Sequence, residues 1–151
     1  TIMKKALFIL LFFIIGCGYQ PVYLNKDVQN FEYSKIILAG SNEINRNILN
    51  LLSIEESVDN ASKDKLYVTS FQKIETTSKN NAGQPLSFRT TINVNIKIEN
   101  FNGQIIKNKD FTKEFTYNNR KNKFELVEYQ KSIQKNLINK IINEISIYLG
   151  S

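Results

Sequence analysis

From Phe88 to Glu99 the chain alternates strictly. Phe88, Thr90, Ile92, Val94, Ile96 and Ile98 share one face, and Arg89, Thr91, Asn93, Asn95, Lys97 and Glu99 share the other. A period of two sustained over this length predicts a long strand with one buried face and one wet face. Asn100-Phe101-Asn102-Gly103 follows, supplying residues that tolerate positive φ, so a hairpin turn is expected there. The return strand, about 104–117, carries Ile105, Phe111, Phe115 and Tyr117 on one side, with Lys113 interrupting. Upstream, β-rich segments at 31–39, ending at Gly40, and at 65–75, with Leu66, Val68, Phe71 and Ile74, predict two further strands. The stretch 76–85, with Asn80, Asn81, Gly83 and Pro85, reads as a mobile polar hinge.

Two segments change to a helical period. Ser41 and Asn42 are good N-caps, because their side-chain oxygens accept from free backbone N–H groups. Ile44, Ile48, Leu51 and Leu52 then fall on one face, predicting a helix over 42–52. From Lys123 to Leu149, Val127, Leu137, Ile138, Ile141, Ile145, Tyr148 and Leu149 form an apolar stripe without Pro or Gly, so a straight helix of ~40 Å is expected. The order β-α-β-β-β-α implies an α+β fold of two layers, a four-stranded sheet with two helices packed on one face. The polar connection 53–64 holds Glu55, Glu56, Asp59 and Asp64. Their spacing lacks the Gly turn of a calcium loop, so a solvated loop is expected instead.

The N-terminal segment carries a different signal. Met3-Lys4-Lys5 is a short positive stretch, and Ala6 to Ile15 is an unbroken apolar run. That run is too short to span a bilayer core, which needs ~20 helical residues, and suits the apolar region of a secretory signal. Gly16-Cys17 directly after it resembles the lipobox of bacterial lipoproteins. In that class the thiol receives a diacylglyceryl group, the peptide before it is cut, and the new amino group is acylated. Residues 1–16 are therefore expected to form a cleaved signal peptide, 17–30 an acylated tether and 31–151 a single α+β domain. Cys17, the one cysteine, is the expected lipid attachment point. The alternative is a small apolar residue in an uncleaved anchor or buried strand.

Composition narrows the chemistry. The chain has 151 residues, enough to bury roughly two thirds of its unfolded surface without a disulfide or metal. It has no His, which removes Ser–His–acid triads, Cys–His dyads and Cys/His zinc sites. A Ser–Lys pair needs a pocket that lowers the lysine pKa, which no motif here indicates, so no catalysis and no cofactor or metal are expected beyond the acyl chains on Cys17. The net charge of +6 suggests an anionic partner. Yet 21 Ile, 20 Asn and 17 Lys against 3 Arg are the residues of AT-rich codons, an equally good account of the excess. Removing Lys4 and Lys5 with the signal leaves +4.

Cys17-Gly18-Tyr19-Gln20-Pro21-Val22-Tyr23 is similar to the mature start of the lipopolysaccharide-assembly lipoprotein family, LptE. Arg46-Asn47-Ile48-Leu49-Asn50-Leu51-Leu52 looks like that family's first helix, and Phe88-Arg89-Thr90-Thr91 with the following hairpin looks like its central strands. The resemblance implies a non-enzymatic subunit of the outer-membrane lipopolysaccharide translocon. Such a subunit sits as a plug inside a β-barrel partner, supports the barrel's assembly and contacts lipopolysaccharide. Gly18 after the cysteine favours the outer membrane by the enterobacterial sorting rule, with the domain facing the periplasm or inside the barrel lumen.

Lipopolysaccharide carries phosphates and acidic sugars, so Lys and Arg are the expected contacts. The candidates are Lys79, Arg89, Arg120, Lys121 and Lys123, at one end of the inferred sheet, against the plainer reading of each as a solvated surface charge. The family's own basic positions fall nearest Asn81 and Leu126 here. Two alternatives stand beside this reading. One is a different envelope lipoprotein, such as an auxiliary subunit of a lipid-transport system. The other is a nucleic-acid module stacking bases on Phe111, Phe115 and Tyr117 among Lys107, Lys109 and Lys113. Export disfavours nucleic acid as partner, and a core-packed strand face with snorkelling lysines accounts for the same residues.

Overall fold

A computed structural model describes residues 31–57 and 63–151. The expected signal peptide, the tether and Cys17 lie outside the described residues, as does Asp59. In chain order the elements are β1 (Phe31–Tyr33), β2 (Lys35–Gly40), α1 (Asn42–Leu51), β3 (Ile54–Glu56), β4 (Lys65–Lys79), β5 (Pro85–Glu99), β6 (Ile105–Asn118) and α2 (Lys123–Leu149).

The four-stranded sheet has the order β2-β4-β5-β6, with β2 parallel to β4 and the other pairs antiparallel. A short parallel pair, β1 with β3, forms a second sheet. The α+β fold, the four-stranded sheet and the two helices are those the hydrophobic periods imply. The differences are local. The first expected strand is split at Ser34, whose N–H donates to Asp64 O at 2.8 Å. The polar connection after α1 contains β3, where Ile54 is buried while Glu55 and Glu56 face solvent. The expected hinge at 76–85 is mostly strand. β4 runs to Lys79 and β5 starts at Pro85, so only Asn80–Gln84 turns. Backbone pairing continues through these polar residues, with register irregularities around Ser78.

The even-numbered residues of β5 face the helices, and Thr90, Ile92, Val94, Ile96 and Ile98 are buried. They meet Leu66, Val68 and Ser70 of β4, Ile44 and Ile48 of α1, and Ile133, Leu137, Ile138, Ile141, Ile142 and Ile145 of α2. The α2 stripe differs at one end from expectation. Val127 is exposed, and Leu126 and Tyr129 pack on the core instead. On β6, Phe111 and Tyr117 are buried but Ile105 and Phe115 are exposed. β6 is an edge strand, and Phe115 lies where neither helix nor a further strand covers it. Lysines on the same side of β6 reach past the helix. Lys113 pairs with Glu144, and Lys107 Nζ donates to Tyr148 O at 2.9 Å and Ser151 O at 2.8 Å. Lys107 thus satisfies carbonyls at the end of α2, whose last turn has no basic residue of its own.

Candidate functional site

The odd-numbered face of the sheet carries no helix, and its middle is a polar lattice. Asn93 Nδ2 donates to Thr112 Oγ1 at 2.6 Å, and Asn95 Nδ2 reaches Asn108 Oδ1 and Asp110 Oδ1, each at 3.0 Å. Further along, Arg89 Nε donates to Thr116 Oγ1 at 3.3 Å, and its guanidinium stands 3.9 Å from Glu114. Lys97 sits over the Tyr67 ring, 3.8 Å from its centroid. Partial burial and the Glu99 carboxylate raise the Tyr67 pKa above its ordinary value. Phe71 is a large apolar side chain exposed on this face. Cross-strand hydrogen bonds and ion pairs of this kind hold side chains in one arrangement while leaving the surface wettable.

The candidate cations separate into two groups. Lys79 pairs with Pro85 at the tip of the β4–β5 hairpin, and Asn119 joins the same end through its N–H on Leu86 O and its Nδ2 on Pro85 O, both at 2.8 Å. Arg120, Lys121 and Lys123 follow directly, so the fold brings Lys79, Arg120, Lys121 and Lys123 to one end of the sheet. All four are exposed. Arg89 is set back on the lattice face, in the row Glu75–Arg89–Thr116, engaged with Glu114 and Thr116. Lys73 first, through a hydrogen bond and its charge, and then Arg89 hold the Glu75 carboxyl below its usual value.

Arg120 is more than a surface charge. Its guanidinium lies 4.1 Å from the centre of the Tyr129 ring, which packs edge-on against Tyr117, and Tyr117 in turn contacts Phe88. The Tyr117 hydroxyl bonds Thr90 Oγ1 at 3.1 Å and accepts from Gln130 Nε2 at 2.9 Å. This aromatic column, buried at Tyr117, holds Arg120 against β6 and α2. Exposed Leu86, Phe124 and Val127 stand near the cations at this end. Leu126 is half-buried and packs against the core. Of the aromatics interleaved with lysines on β6, Phe111 and Tyr117 are buried and Phe115 is exposed.

Sequence reasoning missed a relation between the two hairpin turns. Asn80-Asn81-Ala82-Gly83-Gln84 and Asn100-Phe101-Asn102-Gly103-Gln104 are built alike. In each, the first Asn donates its N–H to the Gln carbonyl, and its side-chain oxygen accepts from the third and fifth residues. In each, a Gly with φ near +80° closes the turn, at 77° for Gly83 and 81° for Gly103. The signal was present as Asn-x-x-Gly-Gln twice, twenty residues apart.

Among the described residues no helix is long and apolar enough to cross a membrane, and no group of side chains is placed to hold a metal ion. No protein-family model matches the sequence, and no curated protein matches it. Solved structures do. Rare lipoprotein B from Shewanella oneidensis is 12% identical with a TM-score of 0.53, over 78% of this chain and 99% of that one. A minor lipoprotein from Acinetobacter baumannii is 17% identical with a TM-score of 0.53, over 77% of this chain and 90% of that one. A lipoprotein from Caulobacter crescentus is 13% identical with a TM-score of 0.53, over 76% and 86%. At these identities the likeness is one of architecture: the chain has the α+β fold of rare lipoprotein B and these other bacterial lipoproteins, the fold that its N-terminal resemblance implies.

Proposed function

We propose that this protein is a non-enzymatic outer-membrane lipoprotein, anchored through acylated Cys17, that assembles with the lipopolysaccharide-translocon β-barrel and plugs its lumen. The observation that carries the reading is the uncovered, hydrogen-bonded polar face formed by Asn93, Asn95, Thr112 and Asp110. A wide outer-membrane barrel has a polar interior, so a plug needs a rigid body whose exposed sheet is wettable and already self-satisfied. A face destined for an ordinary protein core would be apolar, whereas this one stays polar along two fifteen-residue strands. The cationic end at Lys79, Arg120, Lys121 and Lys123 supports contact with the phosphates and acidic sugars of lipopolysaccharide.

The acylated protein, tagged at its C-terminus and solubilised from outer membranes, is expected to co-purify with the lipopolysaccharide-transport barrel. Recovery of other envelope proteins without that barrel overturns the reading and favours an adaptor of another lipid-transport system. Depletion is expected to reduce lipopolysaccharide at the cell surface, and unchanged surface lipopolysaccharide counts against the assignment in the same way.

A further inference from the structure

The two like-built turns lie at opposite ends of β5 and differ in what they present. The second position is Asn81 in one and Phe101 in the other. Asn81 forms the same turn with the same hydrogen bonds, so the turn itself does not require an aromatic there. Phe101 is nonetheless 68% exposed, and Ile105 and Ile106, just beyond the turn, are 59% and 51% exposed. An irregularity in the β5–β6 register leaves Ile106 without a partner between Ile105 and Lys107. Three large apolar groups are thus gathered on one projecting tip. Ile147, in the last turn of α2, is exposed at the same end, which Lys107 ties to the helix terminus.

That end is also where the described chain begins. Lys35, Lys65, Glu99 and Ile105 form one row across the sheet, and β1 directly precedes Lys35 in the chain. Strands ~4.8 Å apart put β2 and β6 about 15 Å from each other along that row. Residues 17–30 separate Cys17 from β1, and a chain of that length reaches at most ~50 Å, so the tip stays within range of a bilayer that holds Cys17. The opposite end carries the cation cluster and sits a strand length, ~50 Å, further away.

We propose that the Asn100–Gln104 turn is a lipid-seating tip, in which Phe101, with Ile105 and Ile106 beside it, enters the headgroup zone of the phospholipid bilayer that holds the Cys17 anchor. This rests on the anchored-lipoprotein reading and adds a second contact with the membrane. One lipid-modified residue at the end of a connecting segment fixes distance but not orientation. An apolar tip at the same end fixes which way the domain points and carries the cationic end away from the surface. Aromatic and aliphatic groups at the bilayer interface provide such reversible seating.

The chain contains no Trp, so a single indole reports on its own position. Acylated full-length Phe101→Trp and Asn81→Trp proteins, each reconstituted into phosphatidylethanolamine–phosphatidylglycerol vesicles, are compared for emission wavelength and for quenching by brominated acyl chains. Phe101→Trp is expected to be blue-shifted and quenched, and Asn81→Trp to remain solvent-like and unquenched. Equal, solvent-like behaviour of the two overturns the tip while leaving the anchor standing, provided the protein floats with the vesicles. Protein that does not float overturns anchor and tip together. Phe101→Trp emission that shifts only when the barrel partner is added assigns the tip to a protein rim and overturns the lipid assignment.

Discussion

The Ser70 hydroxyl donates to Asn45 Oδ1 at 2.6 Å, and neither residue is exposed to solvent. Asn45 Nδ2 donates in turn to Ala39 O at 2.9 Å, and Ser70 Oγ also lies 3.2 Å from Ser41 O. One buried amide therefore joins β2, α1 and β4 at the point where the chain leaves the sheet for its first helix. Buried polar groups with complete partners specify one arrangement, and removing one partner strands the other.

Asn45→Leu removes that amide and leaves the Ser70 hydroxyl and the Ala39 carbonyl short of partners. A loss of about 1–3 kcal/mol is expected in urea unfolding, and Ser70→Ala alone is expected to cost less. In the double variant the two losses should not add, because both remove the same bond. Strict additivity would show that the pair carries no shared interaction.

Gly40 and Gly83 both have positive φ, at 82° and 77°, but differ in surroundings. A Cβ on Gly40 would lie 1.9 Å from Ser70 O, whereas one on Gly83 would meet nothing within 4 Å. Gly83→Ala is expected to lose only the left-handed backbone penalty, ~1–2 kcal/mol. Gly40→Ala adds a backbone clash where α1 leaves the sheet and should lose roughly 3 kcal/mol or more. Thermal unfolding of both variants checks the order, and equal losses would contradict the close approach.

Tyr33 is buried beside Asp64, and burial first, then the carboxylate, raises its pKa to about 12 from the ordinary 10.0. The folded state thus holds the phenol proton that the unfolded state releases. The sign is fixed: this contribution is fully present below pH 10 and is lost as the pH rises through 12. Stability measured by denaturant at successive pH values should fall across that window. Tyr33→Phe should fall less steeply, by about one proton's worth of slope. Parallel curves for the two proteins would rule the effect out.

Lys79, Lys121 and Lys123 form the cationic end together with Arg120. Reversing the three lysines to Glu should weaken lipopolysaccharide binding by the purified protein on the order of tenfold or more, at up to ~1 kcal/mol per exposed contact. Reversing Lys35, Lys135 and Lys140, which lie elsewhere, changes net charge equally and should have a smaller effect that salt removes. Equal losses in the two triple variants would reduce the site to net charge.

The strictly alternating run in β5 and the helical period of α2 were legible because each residue's burial follows from its own position in a repeat. The same holds in part for α1, where Ser41 accepts from Ile44 N–H and Ile44, Ile48 and Leu52 are buried as their spacing requires, while Leu51, read onto the same face, is exposed. Polar strands were not legible. Thr76, Ser78 and Lys79 pair with Phe88, Ser87 and Pro85 in an irregular register, yet their composition is that of a loop, because backbone hydrogen bonds carry no side-chain signature. The cationic end was only partly legible. Four of the five cations meet there, while Arg89 is turned by strand parity onto the lattice face and bound to Glu114 and Thr116.

The sequence by itself determined the number and order of the long strands and helices, and the buried face of β5. It also marked Cys17 behind an apolar run as a candidate lipid site. Only the tertiary structure decided the neighbours: β2 parallel beside β4, Asn45 bonded to Ser70 twenty-five residues on, Arg120 on the ring of Tyr129. It alone placed the two like-built turns at opposite ends, one beside the cations and one at the end of the sheet where β2 begins. The reason is physical. Periodicity reports each residue's transfer from water, a local quantity, whereas pairing depends on which distant segments close loops together, and no residue's own chemistry records that.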